Sequence, residues 1–316
     1  MTEAATIPVV PDHELLRLIG RGSSGEVWLA RNAIGSCRAV KIVRKENFSR
    51  GQPFDREFAG VQKFEPVSRS HDGLVDILQV GRNDAAGYFY YVMEIADDVR
   101  IGQNLNSEEY TPRTLAWDLD QRGRLPIGEC VRLGAAIASA LGFLHRHGLI
   151  HRDIKPSNII FVNGFPKLAD IGLVTDLSEA GSRIGTDGFI PPEGAGSAQA
   201  DIYSLGKVLY EISTGHDRND YPALPEPLGE SAEDRDLIQF NKIVLNASRA
   251  DYSRRYQSAE DLLTDLLSFQ FSKHNPRREK ARDRLEKAIS IGGLIFGFGV
   301  IITLLWRLIW ILNHTP

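Results

Sequence analysis

Apolar residues come in short runs over the first part of the chain, at residues 15–19, 27–30, 39–43 and 88–93, each rich in β-branched or aromatic side chains and parted by glycine-containing turns. Runs of that length predict a small, mostly antiparallel sheet. Residues 54–64 follow helical spacing instead, with Phe54, Phe58 and Val61 on one side and Glu57 pointing elsewhere, so one helix is expected to pack on the sheet. From residue 97 to about 271 the pattern turns helical. It is clearest over 127–147, where Val131, Ile137, Leu141 and Leu144 recur near the helical period and Gly148 supplies the stop. A basic connector at 272–287 leads into residues 288–306, which are 19 consecutive positions without a charge. At about 1.5 Å per residue a helix of that length covers roughly 28 Å, the thickness of a bilayer's hydrocarbon core. The expected organisation is an N-terminal extension (1–11), a two-lobed α+β unit (12–271), a basic linker (272–287), a transmembrane helix (288–312) and a short tail (313–316). Within the unit, a sheet lobe (12–93) joins a helical lobe (97–271) through residues 94–96.

Composition narrows the functional classes. The 316 residues, 42% hydrophobic and 25% charged, suit one large domain or two modest ones with an appendage, and exclude a disordered chain. A formal net charge of -4 offers no general field for nucleic acid, which is not expected as a partner. Neither Cys37 nor Cys130 stands in a metal-ligand spacing, and both are read as reduced core thiols. Residues 1–11 lack the charged start and long apolar run of a secretory leader, so the main domain is expected in the cytoplasm. The Lys/Arg-rich flank at 277–287 puts the cytoplasmic end of the span on the same side. Trp306 and Trp310 suit the far interface, and Arg307 can snorkel there. The chain is thus expected to be a single-pass protein of the cell membrane, with no room beyond the span for an external sensor domain. Gly293 and Gly297 form a G-x-x-x-G pair that permits close helix contact, a candidate seam for a homodimer in the lipid bilayer.

Candidate chemistry begins at Gly20, Gly22 and Gly25 in a G-x-G-x-x-G-x-V pattern, where missing Cβ atoms let backbone amides approach phosphate oxygens. Alone the pattern is also compatible with a dinucleotide site or a flexible turn. A dinucleotide fingerprint runs from strand into helix, whereas here the chain continues as a second strand, which favours a hairpin over phosphates. Lys41 ends an apolar strand, where a buried ammonium needs anionic partners; Glu57 and nucleotide phosphates would supply them. The most informative stretch is His151-Arg152-Asp153-Ile154-Lys155-Pro156-Ser157-Asn158, followed by Asp170-Ile171-Gly172. Phosphoryl transfer asks for positioning and charge neutralisation. Asp153 would orient a substrate hydroxyl, Lys155 would neutralise the transferring group, and Asn158 with Asp170 would hold Mg²⁺.

In motif order as well as content, residues 12–271 resemble the eukaryotic-like serine/threonine protein kinase family, in its membrane-anchored bacterial form. The resemblance extends to the stretch from Gly185 to Glu193, ending in Pro-Pro-Glu, and to Asp201-Ile202-Tyr203-Ser204-Leu205-Gly206. It implies a bilobal fold, ATP and Mg²⁺ as cofactors, and protein substrates. It also implies that Met93 is the gatekeeper and that Glu94 and Ala96 offer backbone groups to adenine, with Val27 and Ala39 sandwiching the base. Glu193 is expected to pair with Arg255, Asp201 to brace the catalytic loop, and His151 to hold backbone geometry. Ile171 stands where the family has Phe, and Pro191 where it has Ala; both are packing positions. Lys155 two residues beyond Asp153 is the family's serine/threonine signature. Arg152 suggests control by a phosphorylated activation segment, with Thr175, Ser178, Ser182 and Thr186 as the candidate phosphosites. His145 and His147 are read as helix-end residues suited to the dipole. A nucleotide-binding scaffold without catalysis and a kinase of small metabolites are the alternatives. The first usually lacks one of the charged residues present here, and the second sits poorly with a segment ending in Pro-Pro-Glu.

Overall fold

The computed structural model describes residues 8–22, 25–48, 52–105, 108–170, 175–176, 185–229 and 231–274. The expected span at 288–312, Ile171 and the phosphosite candidates Ser178 and Ser182 lie outside them.

Five strands form the first lobe: β1 (His13–Arg21), β2 (Gly25–Asn32), β3 (Cys37–Arg44), β4 (Ile77–Asn83) and β5 (Tyr88–Met93). They run antiparallel in the order β1-β2-β3-β5-β4. Side chains of period two divide between the faces. On one, Val10, Ala30, Val40, Ile42, Tyr88, Tyr90 and Val92 make a buried cluster, with Leu15 and Trp28 packed against it. Val10 comes from the segment expected to be an extension, and Tyr88 fixes that segment by exchanging hydrogen bonds with Val9: it receives the Val9 N–H at 3.1 Å and donates to the Val9 carbonyl at 2.9 Å.

Helix α1 (Gln52–Ser68) buries Phe54, Glu57, Val61 and Phe64. These residues are spaced three, four and three apart and so share one stripe of the helix. The expectation that Glu57 points away from the apolar side is therefore corrected. Glu57 lies in the buried stripe, while Phe58 sits half-buried at its margin, 5.2 Å from the Phe89 ring and 5.0 Å from the Arg82 guanidinium.

The second lobe is helical: α2 (Leu115–Arg122), α3 (Ile127–Arg146), α4 (Ala198–Thr214), α5 (Ala232–Ala247) and α6 (Ala259–His274). Short strands β6 (Leu149–Ile150), β7 (Ile159–Val162), β8 (Phe165–Leu168) and β9 (Thr175–Asp176) lie between α3 and α4 in sequence. Among the described residues α3 alone is long and apolar enough to cross a membrane, and the buried residues along it, from Ile127 to Leu144, make it a core helix of this lobe. Helix α4 starts at Ser197, whose hydroxyl accepts the Ala200 N–H, and stops at Gly215 with φ 75. Where α4 meets α5, a Cβ on Gly206 would press on Ala247 at 2.8 Å, so the glycine sets how closely the two helices approach. The compact unit ends at Leu267; of the second unit, only residues 268–274, the end of α6, are described.

Candidate active site

The loop between β6 and β7 is held from below. Gly148, with φ 73, ends α3 and turns the chain into β6, after which His151 and Arg152 direct their N–H groups to the two carboxylate oxygens of Asp201 at 2.8 Å each. Asp201 lies in the first turn of α4, where the helix dipole favours a negative charge, and has no solvent exposure. Burial alone would raise its pKa, but hydrogen bonds from His145 (2.9 Å) and the His151 N–H hold it below the usual carboxylate range. His145 is thus structural, as expected, but through this bond. His151, fully buried, also bonds the Ala169 carbonyl at 3.1 Å. Arg152 adopts φ 70, an uncommon conformation for a non-glycine residue.

On this base Asp153, Lys155 and Thr186 form a closed triangle. The Lys155 ammonium reaches Asp153 at 2.7 Å and the Thr186 hydroxyl at 2.8 Å, and that hydroxyl donates to Asp153 at 2.6 Å. Asn158 donates from Nδ2 to the Asp153 carbonyl (2.8 Å) and carboxylate (2.9 Å), which leaves its amide oxygen as the remaining polar atom. The segment carrying Thr186 is anchored by Arg255, whose guanidinium pairs with Glu193 at 2.7 Å and also reaches the carbonyls of Arg249 and Gln199. Thr175 lies in β9, paired with Ile150.

Above the loop is a cleft of about 320 Å³. Ile19, Gly20, Gly22, Gly25, Val27, Ala39, Lys41, Met93, Glu94 and Ala96 line it from the sheet lobe and hinge; Lys155, Asn158, Ile160 and Asp170 line it from the other lobe. A Cβ on Gly20 or Gly22 would meet nothing closer than 3.6 Å, so both are open toward the cleft. Gly25, which also lines the cleft, is required in addition by the sheet: a Cβ there would collide with the Ile42 carbonyl across the β2–β3 ladder.

Lys41 is almost fully buried and pairs with Asp170, whose carboxylate keeps a face toward the cleft (37% exposed). Glu57 approaches the ammonium only to 4.0 Å. Burial would lower the Lys41 pKa, yet Asp170, with Tyr91 and Glu57, raises it, so the ammonium is charged across the physiological range. Burial likewise works against the Asp170 carboxylate, but Lys41 holds its pKa below the usual value. Asp170 adopts φ 57, a left-handed conformation that Asp tolerates better than most residues.

At the hinge, Glu94 spends its N–H on the Asp76 carbonyl (3.1 Å) and its carboxylate on Lys167 (2.5 Å). The Ala96 carbonyl accepts the Tyr110 hydroxyl at 3.1 Å. Tyr110 comes from the stretch between hinge and α2 and is itself cleft lining. Asp98 organises that stretch by accepting the Arg100, Ile101 and Thr111 N–H groups, and Arg17 ties it to β1 by donating to the Tyr110 carbonyl. No motif in the chain marks Tyr110 or places the Thr186 hydroxyl between Lys155 and Asp153. The only available signal was an aromatic residue in an otherwise polar connector.

The side chains fit a magnesium–adenine nucleotide. The Asn158 amide oxygen and the Asp170 carboxylate are hard oxygen donors of the kind Mg²⁺ takes beside water and phosphate. Lys41 supplies a cation, Gly20 and Gly22 leave space for close backbone approach, and Ile19, Val27, Ala39 and Ile160 offer apolar faces for a base.

Comparison with known proteins finds relatives that match most of this chain. The chain is 28% identical over 275 residues to a probable serine/threonine-protein kinase, CPE1738, of Clostridium perfringens, covering 80% of this chain and 38% of that protein. It is 29% identical over 280 residues to the serine/threonine-protein kinase PknB of Mycolicibacterium smegmatis (81% and 42%). It is 29% identical over 311 residues to the serine/threonine-protein kinase PrkC of Bacillus subtilis (88% and 44%). The chain thus spans about two fifths of the length of these relatives. The family profile described as the protein kinase domain matches residues 13–285. With an antiparallel sheet lobe, a helical lobe and this cleft between them, the chain belongs to the protein kinase domain family.

Proposed function

We propose that this protein transfers the γ-phosphoryl group of ATP, with Mg²⁺, to serine or threonine hydroxyls of proteins. The observation that carries the reading is the closed triangle of Asp153, Lys155 and Thr186 beside the Lys41–Asp170 pair, because it gathers a base, two cations and a metal-binding carboxylate around one cleft. Asp153 accepts the proton of the substrate hydroxyl. Lys155 offsets the negative charge that builds on the transferring group, Asn158 and Asp170 hold the metal, and Lys41 with Glu57 steadies the phosphates. Backbone groups of Glu94 and Ala96 recognise the base between Val27 and Ala39. Serine/threonine preference rests on Lys155 and on the names of the relatives, all serine/threonine-protein kinases.

The uncharged run at 288–306 and the basic flank before it support attachment to a membrane by a single span with the kinase domain on the cytoplasmic side. Gly293 and Gly297 support pairing of two copies there, which would bring activation segments within reach of a neighbouring active site.

The test is transfer of labelled phosphate from ATP–Mg²⁺ to the protein itself and to a generic protein substrate, for the wild type and Asp153→Asn. Loss of about 10²–10⁴-fold in rate with an unchanged melting temperature is expected from removing a general base. Equal transfer by the two proteins, or none by either, would overturn the reading.

A further inference from the structure

Tyr91 stands on β5 directly opposite Lys41 in the β3–β5 ladder, so both side chains leave the same face of the sheet. It is fully buried, and its hydroxyl makes no hydrogen bond of normal geometry among the described residues, although the Lys41 ammonium is placed to donate to it. Packing does not explain that hydroxyl, because phenylalanine fills nearly the same volume without the cost of an unpaired buried polar atom. Its charged surroundings are the Lys41 ammonium and the Glu57 and Asp170 carboxylates, each near enough to act on it electrostatically. Burial pushes the phenol's pKa up and Lys41 offsets this only in part, so the group keeps its proton. A neutral phenol accepts one hydrogen bond and donates another, which is what a site between an ammonium and a carboxylate requires.

The neighbouring pair is visibly incomplete. Lys41 has three N–H donors; Asp170 takes one of them, and Glu57 stands at 4.0 Å, beyond hydrogen-bonding distance. Asp170 is also the residue suited to ligate Mg²⁺, and a carboxylate engaged by a dication holds an ammonium less firmly. Lys41 then needs another anchor in the sheet lobe.

We propose that Tyr91 is a positioning residue for Lys41: when Asp170 is engaged by the metal, the Tyr91 hydroxyl accepts a hydrogen bond from the Lys41 ammonium and donates one to the Glu57 carboxylate, closing the gap between them. This deepens the kinase reading of the cleft and rests on it.

Calorimetry on the full chain separates the possibilities without relying on turnover. For Tyr91→Phe, the Kd for Mg²⁺ and AMP-PNP, a non-hydrolysable ATP analogue, is expected to weaken about tenfold, the worth of one charge-assisted hydrogen bond. The Kd for adenosine, which carries no phosphate, stays within about twofold, and the melting temperature of the free protein is unchanged or higher because an unpaired hydroxyl has been removed. In a Glu57→Gln background the same substitution has a clearly smaller effect, because the two residues act as a unit. Equal weakening for adenosine and the triphosphate, or a lower melting temperature with additive double-mutant effects, would make Tyr91 a structural residue and overturn the proposal. An unchanged triphosphate Kd would overturn it as well. If the wild type binds the triphosphate but transfers no phosphate, the kinase reading fails while these binding ratios still decide the role of Tyr91. If it binds no triphosphate, both fail.

Discussion

The cleft has two charged walls built in different ways. On the helical-lobe side, Asp153, Lys155, Thr186 and Asn158 are joined by hydrogen bonds of 2.6–2.9 Å, and the loop that carries them is fixed through backbone N–H groups to the buried Asp201. On the sheet-lobe side, the Lys41 ammonium leans to Asp170, Glu57 stands off at 4.0 Å, and the Tyr91 hydroxyl makes no hydrogen bond of normal geometry. The lesson is one of preorganisation. In the proposed reaction the groups that would meet the substrate hydroxyl are already in place, so little reorganisation would be needed at the moment of transfer. The groups that would meet the phosphates and metal are joined less closely, which leaves slack that ligand binding would take up.

The sharpest way to break this contrast is Asp201→Ala. It removes the acceptor of two loop N–H groups and the partner of His145, and is expected to cost about 3–5 kcal/mol in denaturant unfolding, as for loss of one member of a buried ionic network. Phosphate transfer should fall with it. Unfolding within 1 kcal/mol of wild type would show that the loop is not braced there.

A smaller effect is expected from Thr186→Val, which keeps the shape but removes the hydroxyl between Lys155 and Asp153. A loss of about 10–100-fold in kcat follows from misplacing base and cation, with Thr186→Ser recovering most of it. Because that hydroxyl is spent inside the triangle, phosphopeptide mapping should find the wild-type protein modified at other segment hydroxyls; stoichiometric phosphate at Thr186 would contradict this.

The smallest effect concerns the joint between the walls. His71 accepts the Gly73 N–H on Nδ1 and contacts the Ser139 hydroxyl of α3 through Nε2, an arrangement that needs the neutral ring. Burial, with a smaller push from Arg146, lowers its pKa, Asp72 opposing. The unfolded chain therefore takes up the proton first: stability is fully present above about pH 6.5 and is lost as pH falls toward the lower folded value. In His71→Gln, the slope of unfolding free energy against pH between about 7 and 5 should flatten; an unchanged slope would assign it to other groups.

Much of the molecule can be read without coordinates, and the exceptions share physical reasons. Four of the five sheet strands announce themselves as apolar runs, but β4 does not, because only Ile77 in it is fully buried while Leu78, Arg82 and Asn83 are exposed. Its Gly81 is required only because the Tyr90 ring of β5 crosses that position. The motifs name the charged residues of the site, but spacing alone sets Glu57 apart from the apolar face of α1, since a carboxylate on a buried stripe makes sense only when a buried cation stands across from it.

Residue type and order along the chain determined which groups are available for chemistry: a glycine hairpin, a lysine within an apolar strand, and a carboxylate, a lysine and an amide within one loop. These follow from local chemistry and from short-range spacing. What folding decided is which partners each group has. Lys41 meets Asp170 across 129 residues, Asp153 meets Thr186 across 33, and the Tyr110 hydroxyl reaches a hinge carbonyl across 14. Such pairings depend on how two lobes approach one another and on where the backbone leaves polar atoms unpaired, and no periodicity in the chain encodes either.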